Sequence, residues 1–216
     1  MKVLSIDVGG THVKILVSGE QESRACPSGP TMTAARMVKA VQVMARGWTY
    51  DVVSIGYPGP VLSGRPMAEP HNLAPGWMGM DYETAFGCPV KIINDAAMQA
   101  LGSFQDKKML FLGLGTGLGT CLVLEGGIVV PMEAAHLPYK NGKSYEEYVG
   151  VRGLERMGKK KWRKHVDAVI GLLRKAFEPD EVVLGGGNIH KLDKLPDGVR
   201  LGDNENALAG GLRLWS

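Results

Sequence analysis

Cysteine is scarce in this chain: 216 residues hold three, Cys26, Cys88 and Cys121, and no two form a CxxC pair. The sequence therefore offers neither a zinc knuckle nor a disulfide framework, and it fits a reducing compartment. Long apolar runs are missing too. No stretch reaches the roughly 18 uncharged apolar residues of a membrane span, and Asp7 falls where a signal peptide would carry its apolar core. The chain is expected in the cytoplasm, without membrane contact. Neither sign of charge dominates, with 25 Lys and Arg against 22 Asp and Glu, and 44% of residues are apolar. That balance excludes collagen-like, coiled-coil and disordered classes. Aromatics make up only 6%. With few at stacking spacing and no helix-turn-helix or RNA-reading signature, nucleic acid is not the expected partner.

Glycine is what the chain has in abundance. Its 30 glycines are about twice the average share, and they cluster where apolar runs end. The opening run KVLSIDVGG stops at Gly9-Gly10 and resumes as HVKILVSG, the pattern of a hairpin or tight strand pair. A third short strand is expected near residues 22–26. Thr31 or Thr33 can cap a helix running to about residue 46, with Met37, Val38, Val41, Met44 and Ala45 on its buried stripe. DVVSIGYPGPV reads as a buried strand ending in a Pro/Gly loop, and VKIINDAAMQALGSF as a strand entering a helix through Asn94-Asp95. This alternation is an α/β signature.

The pattern then starts afresh with KMLFLGLGTGLGTCLVLEGGIVV. At an offset of 106, residues 6–11 align with 112–117, and 15–17 with 121–123. The chain reads as duplicated, two similar α/β lobes whose glycine turns face one cleft. Residues 144–158 and 162–177 are expected as helices, EVVLGGGN as a buried strand and 206–215 as a closing helix. The polar segment Gln105-Asp106-Lys107-Lys108 sets the expected boundary between lobes 1–106 and 107–216.

Three glycine turns each follow an apolar strand: Gly9-Gly10-Thr11, Gly115-Thr116-Gly117-Leu118-Gly119 and Gly185-Gly186-Gly187-Asn188. Glycine lets backbone N–H groups approach an anion with no Cβ in the way. One such turn is most often a plain hairpin; three, two of them in matching repeat positions, favour a nucleotide or polyphosphate site. The common phosphate motifs fail. A P-loop needs GxxxxGK[ST], and Gly142-Lys143-Ser144 has Leu137 where the leading glycine belongs. A dinucleotide fingerprint opens a helix, whereas Gly117-Leu118-Gly119 leads into a strand pattern.

Asp7 interrupts an apolar strand, where an unpaired carboxylate is costly. It either bonds the backbone of its glycine turn or helps hold Mg²⁺, directly or through water. Lys14 either faces phosphate or points outward. Asp95, at a strand-to-helix junction, either caps the helix, which contributes roughly 1 kcal/mol, or accepts the proton of a substrate hydroxyl attacking a terminal phosphoryl group. Glu133 and His136 are three apart and can bond neighbouring hydroxyls of one polyol. With the loops GYPGPV, containing Gly59, and EPHNLAPGW, containing Asn72, they point to a sugar pocket. Ser144 and Glu147 form a capping-box pattern, which leaves Glu146 for a ligand role. Between residues 138 and 175 there are 11 Lys or Arg and 4 Asp or Glu, net +7, against −4 for the rest of the chain. The densest group, Lys159, Lys160, Lys161, Arg163 and Lys164, is either a solvated helix start or a site for a polyanion, with a long phosphate donor favoured over nucleic acid.

Taken in order, SIDVGGTHVKI, SIGYPGPV, NLAPGW, IINDA, FLGLGTGLG, EAAH and VLGGGN resemble the ROK family of sugar kinases, within the actin-like ATPase superfamily, over nearly the whole chain. LPYKNGKSYEEYVG, RMGKKKWRKHV, FEPDEVVLGGGN and GGLRLW are similar to its polyphosphate glucokinase branch. The resemblance implies an α/β fold of two RNase H-like lobes with a cleft between them. It implies phosphoryl transfer from ATP or inorganic polyphosphate to the 6-hydroxyl of a hexose, glucose first, with Mg²⁺, in a homodimer. By the same resemblance Asp95 takes the family's base position and Asn94 a sugar-binding position. Asp7, Gly9, Gly10 and Thr11 match the first phosphate motif, Gly115, Thr116 and Gly117 the second, and Gly185 and Gly186 the adenosine-side glycines. Glu133 and His136 match the ExGH sugar ligands, with Ala135 in place of the glycine. No cysteine follows His136 in a zinc motif, so no structural zinc is expected, and the phosphate motif begins at residue 7, so a DNA-binding repressor is not expected. Two alternatives stay open: a kinase for mannose, fructose or an N-acetylhexosamine, and a non-catalytic sugar or nucleotide sensor.

Overall fold

VLSIDV forms β1 (Val3–Val8), in which every side chain except Asp7 is fully buried. It pairs antiparallel with β2 (His12–Val17) and parallel with β4 (Val52–Tyr57), itself buried throughout. β3 (Arg24–Pro27) and β7 (Val90–Asn94) complete a five-stranded sheet in the order β3-β2-β1-β4-β7. A hairpin of β5 (Val61–Leu62) and β6 (Arg65–Pro66) follows β4. Helix α1 (Ala34–Met44) starts at Thr33, whose side chain accepts from Arg36 N, and buries Ala34, Met37, Val38 and Val41. The short α2 (Tyr82–Phe86) is capped by Asp81, and α3 (Asp95–Ser103) continues directly from β7. The structure is a computed structural model and describes residues 1–203 and 205–216.

The second sheet repeats the first. β8 (Met109–Leu114) pairs antiparallel with β9 (Leu118–Leu124) and parallel with β13 (Glu181–Gly185). With β10 (Ile128–Met132) and β14 (Val199–Leu201) at the edges, the order is β10-β9-β8-β13-β14. Strand for strand, pairing directions match those of the first sheet, and β1 and β8 begin 106 residues apart, the offset of the sequence repeat. A small hairpin, β11 (Pro138–Lys140) and β12 (Lys143–Ser144), leads into α4 (Tyr145–Val149) and α5 (Val151–Phe177). Trp162, Val166, Val169, Ile170 and Leu173 of α5 are buried at helical spacing. α5 consists of two helical segments, 151–157 and 159–177, separated by a non-helical kink at Gly158 (φ 75°, ψ 160°), which agrees with the expected break after 158, whereas the helix expected over 144–158 is itself interrupted at Gly150 (φ −73°, ψ 178°).

The chain divides into two units, Met1–Gly102 with Glu205–Ser216, and Ser103–Asn204. The expected division at 106/107 differs in the C-terminal segment, because α6 (Asn206–Arg213) belongs to the first unit. The reason is packing. A Cβ on Gly102 or on Gly210 would run into backbone of the opposing helix, so α3 and α6 cross with their backbones nearly touching. Ser54 Oγ donates to Gly211 O (2.6 Å) and accepts from Trp215 Nε1 (3.0 Å), tying α6 and the residues after it to β4. Among the described residues no helix is long and apolar enough to cross a membrane. All three cysteines are unpaired thiols, and burial pushes Cys121 up to about 12.

Candidate active site

In the first unit, the hairpin turn Gly9-Gly10-Thr11 is held by Gly9 N donating to His12 O (2.9 Å) and by Ser28, whose Oγ donates to Gly9 O (2.6 Å) while its N donates to Thr11 O (2.9 Å). Thr11 is exposed. A Cβ on Gly10 would come 3.3 Å from Asn72 Cβ, so this turn and the exposed Asn72 are neighbours. Asp7 ends β1 just before the turn. Its carboxylate is largely buried and, among the described residues, accepts no hydrogen bond, so the reading in which it bonds the turn backbone does not hold. Burial pushes it up to about 6, against the pull of Lys14, its register partner on β2. A desolvated carboxylate with one cation across the ladder and no donor is a candidate for a ligand-binding role.

The junction IINDA resolves which residue caps α3. Asn94 Oδ1 accepts from Ala97 N (3.1 Å), the N-cap geometry, and Asn94 Nδ2 donates to Gly59 O (3.1 Å). One side chain thus starts the helix and fixes the Pro/Gly loop after β4. Asp95 is the first residue of α3, half-buried, with Oδ1 accepting from Ala96 N (2.7 Å). Gly56 on β4 leaves space for the side chain of Met98 on α3, whose Cε a Cβ there would meet. Glu69 organises the next loop by accepting from the N–H groups of Gly76, Trp77 and Met78 at 3.0–3.2 Å, which seats the buried Trp77 beside the NLAPG segment.

In the second unit, Glu133 and His136 flank a one-turn 3₁₀ helix, Ala134–His136, whose entry is held by Thr120: Oγ1 accepts from Ala134 N (3.1 Å) and donates to Met132 O (2.7 Å). Glu133 Oε2 and His136 Nε2 are 3.5 Å apart, both well exposed. Ala135, where the resembling motif has glycine, is buried in the core, so its methyl is accommodated. Glu147 closes the expected capping box with Ser144 and also pairs with Lys143 (3.0 Å). Glu146 instead lies over the second glycine turn, where a Cβ on Gly117 would collide with its carboxylate.

Gly115, half-buried, would meet nothing within 4 Å if it carried a Cβ. Packing does not require glycine there. Gly186 is different. Its φ is 86°, and a Cβ would press on the backbone of Leu114, so the third turn is seated directly on the start of the second. Asn188, 7% exposed, completes that seat: its N donates to Leu114 O and its Nδ2 to Gly115 O, both 2.9 Å. Asn188 closes the VLGGGN motif, but its role depends on contacts 73 residues away and has no local signature. Lys159, Lys160, Lys161 and Lys164 are exposed, whereas Arg163 donates to Lys191 O (2.6 Å) and pairs with Asp193.

Among the described residues, no three His, Cys, Asp or Glu gather to hold a metal by themselves. The donor set at Asp7, one carboxylate beside a glycine turn, fits Mg²⁺, which keeps waters and shares donor phosphates.

The sequence model of the ROK family matches residues 3–137. The chain is 28% identical over 211 residues to a polyphosphate glucokinase of Mycobacterium tuberculosis, covering 88% of this chain and 78% of that one. It is 26% identical to the polyphosphate glucokinase of Mycobacterium leprae, of whose length it spans 64%. Its fold is similar to the crystal structure of an inorganic polyphosphate/ATP-glucomannokinase from an Arthrobacter strain, with a TM-score of 0.81, 22% identity and coverage of 100% and 99% of the two chains.

Proposed function

The chain belongs to the ROK family, and on that premise we propose that it is a sugar kinase, moving a terminal phosphoryl group from inorganic polyphosphate or ATP to the 6-hydroxyl of a hexose, glucose first. The observation that carries this reading is the division of labour at IINDA. Asn94 does the capping, and Asp95 beside it, the first residue of α3 at the carboxyl end of β7, is the carboxylate assigned as the base. In this reading Asp95 takes the hydroxyl proton as the oxygen attacks phosphorus. Asn94 and Gly59 line the sugar together with Asn72, and Glu133, His136 and Glu146 bond its remaining hydroxyls. The amides of the Gly9–Thr11 and Gly115–Gly117 turns receive donor phosphates, an arrangement that needs no reorganisation during transfer. Asp7 and Lys14 stand at the first turn, where Asp7 would hold Mg²⁺. That cation, when bound, offsets charge on the donor phosphates. The similarity to polyphosphate glucokinases over 88% of the chain supports the sugar and the donor.

The test is a panel of hexoses, including glucose, mannose, fructose and N-acetylmannosamine, against ATP and polyphosphate, with the phosphorylated sugar measured directly. Glucose 6-phosphate is the expected main product. Measurable sugar binding without phosphorylation of any hexose by either donor would overturn the kinase reading and favour a sensor.

A further inference from the structure

The basic residues of the second unit are not equivalent. Arg163 is committed internally: Nε donates to Lys191 O, and the guanidinium pairs with Asp193, which docks α5 on the short turn Ile189–Lys191. Lys191 then reaches inward, its Nζ donating to Asn188 Oδ1 (2.6 Å). Asn188 in turn donates to Gly115 O. A continuous hydrogen-bonded path therefore joins α5 to the second glycine turn, and the half-buried Lys191 ammonium stands one side chain from Gly115. An ammonium has three donors, and Asn188 takes one of those on Lys191.

Lys159 and Lys160 lie four and three residues before Arg163, after the bend at Gly158, and so share its helix face. Both are exposed. Lys161 and Lys164 turn away from that face at 100° per residue. The face of α5 that Arg163 docks against Lys191 O thus also carries Lys160 and Lys159, and these with Lys191 are the cations on that side, the charge of Arg163 being paired with Asp193.

We propose that Lys191, continued by Lys159 and Lys160, forms a ledge that binds a linear inorganic polyphosphate and selects it over a nucleotide. Resting on the kinase reading, the reactive end of the polyanion sits at the Gly115–Gly117 turn, Lys191 contacts the next phosphates, and the two α5 lysines hold the following ones. A nucleotide has only three phosphates and gains little from the outer lysines.

The experiment uses the full chain and inorganic polyphosphate of defined length. Binding is titrated directly at low and high salt, and turnover is measured with polyphosphate and with ATP at saturating hexose. Lys191→Gln is expected to weaken polyphosphate binding and raise its KM by about tenfold or more, the size of a lost charge-assisted contact, and to raise the ATP KM too, since ATP also carries phosphates beyond the reactive one, while the hexose KM stays within about twofold. Lys191→Arg should restore most of that loss. Lys159→Gln with Lys160→Gln, both at exposed positions, should weaken polyphosphate less, flatten its salt dependence and leave the ATP KM within about twofold. Unchanged polyphosphate binding in Lys191→Gln, equal losses with both donors in the double variant, an unchanged double variant, or absence of polyphosphate binding by the unaltered chain would each overturn the ledge. Binding with this pattern in a chain that phosphorylates no hexose would instead overturn the kinase reading and leave the ledge standing.

Discussion

Asp7 and Lys14 face each other across the β1–β2 ladder, and the lysine only partly offsets the effect of burial on the carboxylate. Asp7 is raised from 3.8 to about 6. Between those values the folded chain holds a proton that the unfolded chain has released, so stability falls as pH rises through that window. Asp7→Asn removes this cost. Its Tm should match that of the unaltered chain near pH 4 and exceed it above pH 6, while Mg²⁺-dependent turnover is lost. Thermal unfolding across pH 4–8 checks the sign, and a Tm difference independent of pH would refute it.

Asp95→Asn keeps the shape at the start of α3 and removes the base. We expect hexose affinity to be retained and kcat to fall by about 10²–10⁴, the usual contribution of a positioned base. Isothermal titration and steady-state kinetics on one preparation separate the two. Near-normal turnover would reject the assignment.

Gly115 and Gly186 should respond in opposite ways to the same methyl. Gly115→Ala meets no atom within 4 Å, so stability should change by no more than about 0.5 kcal/mol, while donor KM rises because the anion can no longer come as close. Gly186→Ala forces a positive-φ residue against Leu114 backbone and should lower stability by roughly 2 kcal/mol or more. Urea midpoints alongside donor KM values test both.

The α3–α6 crossing predicts the largest purely structural effect. A methyl at Gly210 has no space to enter between the two backbones, so Gly210→Ala should destabilise the first unit by about 1–3 kcal/mol or more. Circular dichroism melts of Gly210→Ala and of Gly171→Ala, where a Cβ meets nothing within 4 Å, provide the contrast.

Much of the fold was legible because its signals are local. Apolar runs stopped by glycine gave β1, β2, β8 and β9 at their true spacing, and the shared offset of 106 gave the repeat that the two sheets display in their strand order. Thr33 and the Ser144–Glu147 box could be read from residues three apart. What escaped depends on distant contacts or on one backbone angle. Gly158 followed by lysines reads as a helix end and does break the helical run, but the interruption at Gly150, whose ψ is 178°, has no local stop signal and is fixed by the approach of Thr116 O from the second glycine turn. The return of α6 to the first unit rests on Gly102 meeting Gly210, with no trace in either local pattern. At the site, residue types were readable, but the split of roles between Asn94 and Asp95 was not, since both suit an N-cap. Arg163 looked like one more free cation until Asp193 and Lys191 O were found beside it.

The placement of α6 has a practical corollary for anyone dissecting this chain. Residues 103–204 are an insertion, entered from α3 and left just before α6. They could be excised as one continuous piece, while the remainder would need its cut ends spliced by a short linker to recover its closing helix. A gene fragment stopping at 106 would leave the sheet of the first half uncovered where Gly211 and Trp215 belong, and aggregation of that fragment would say nothing about the quality of its catalytic residues.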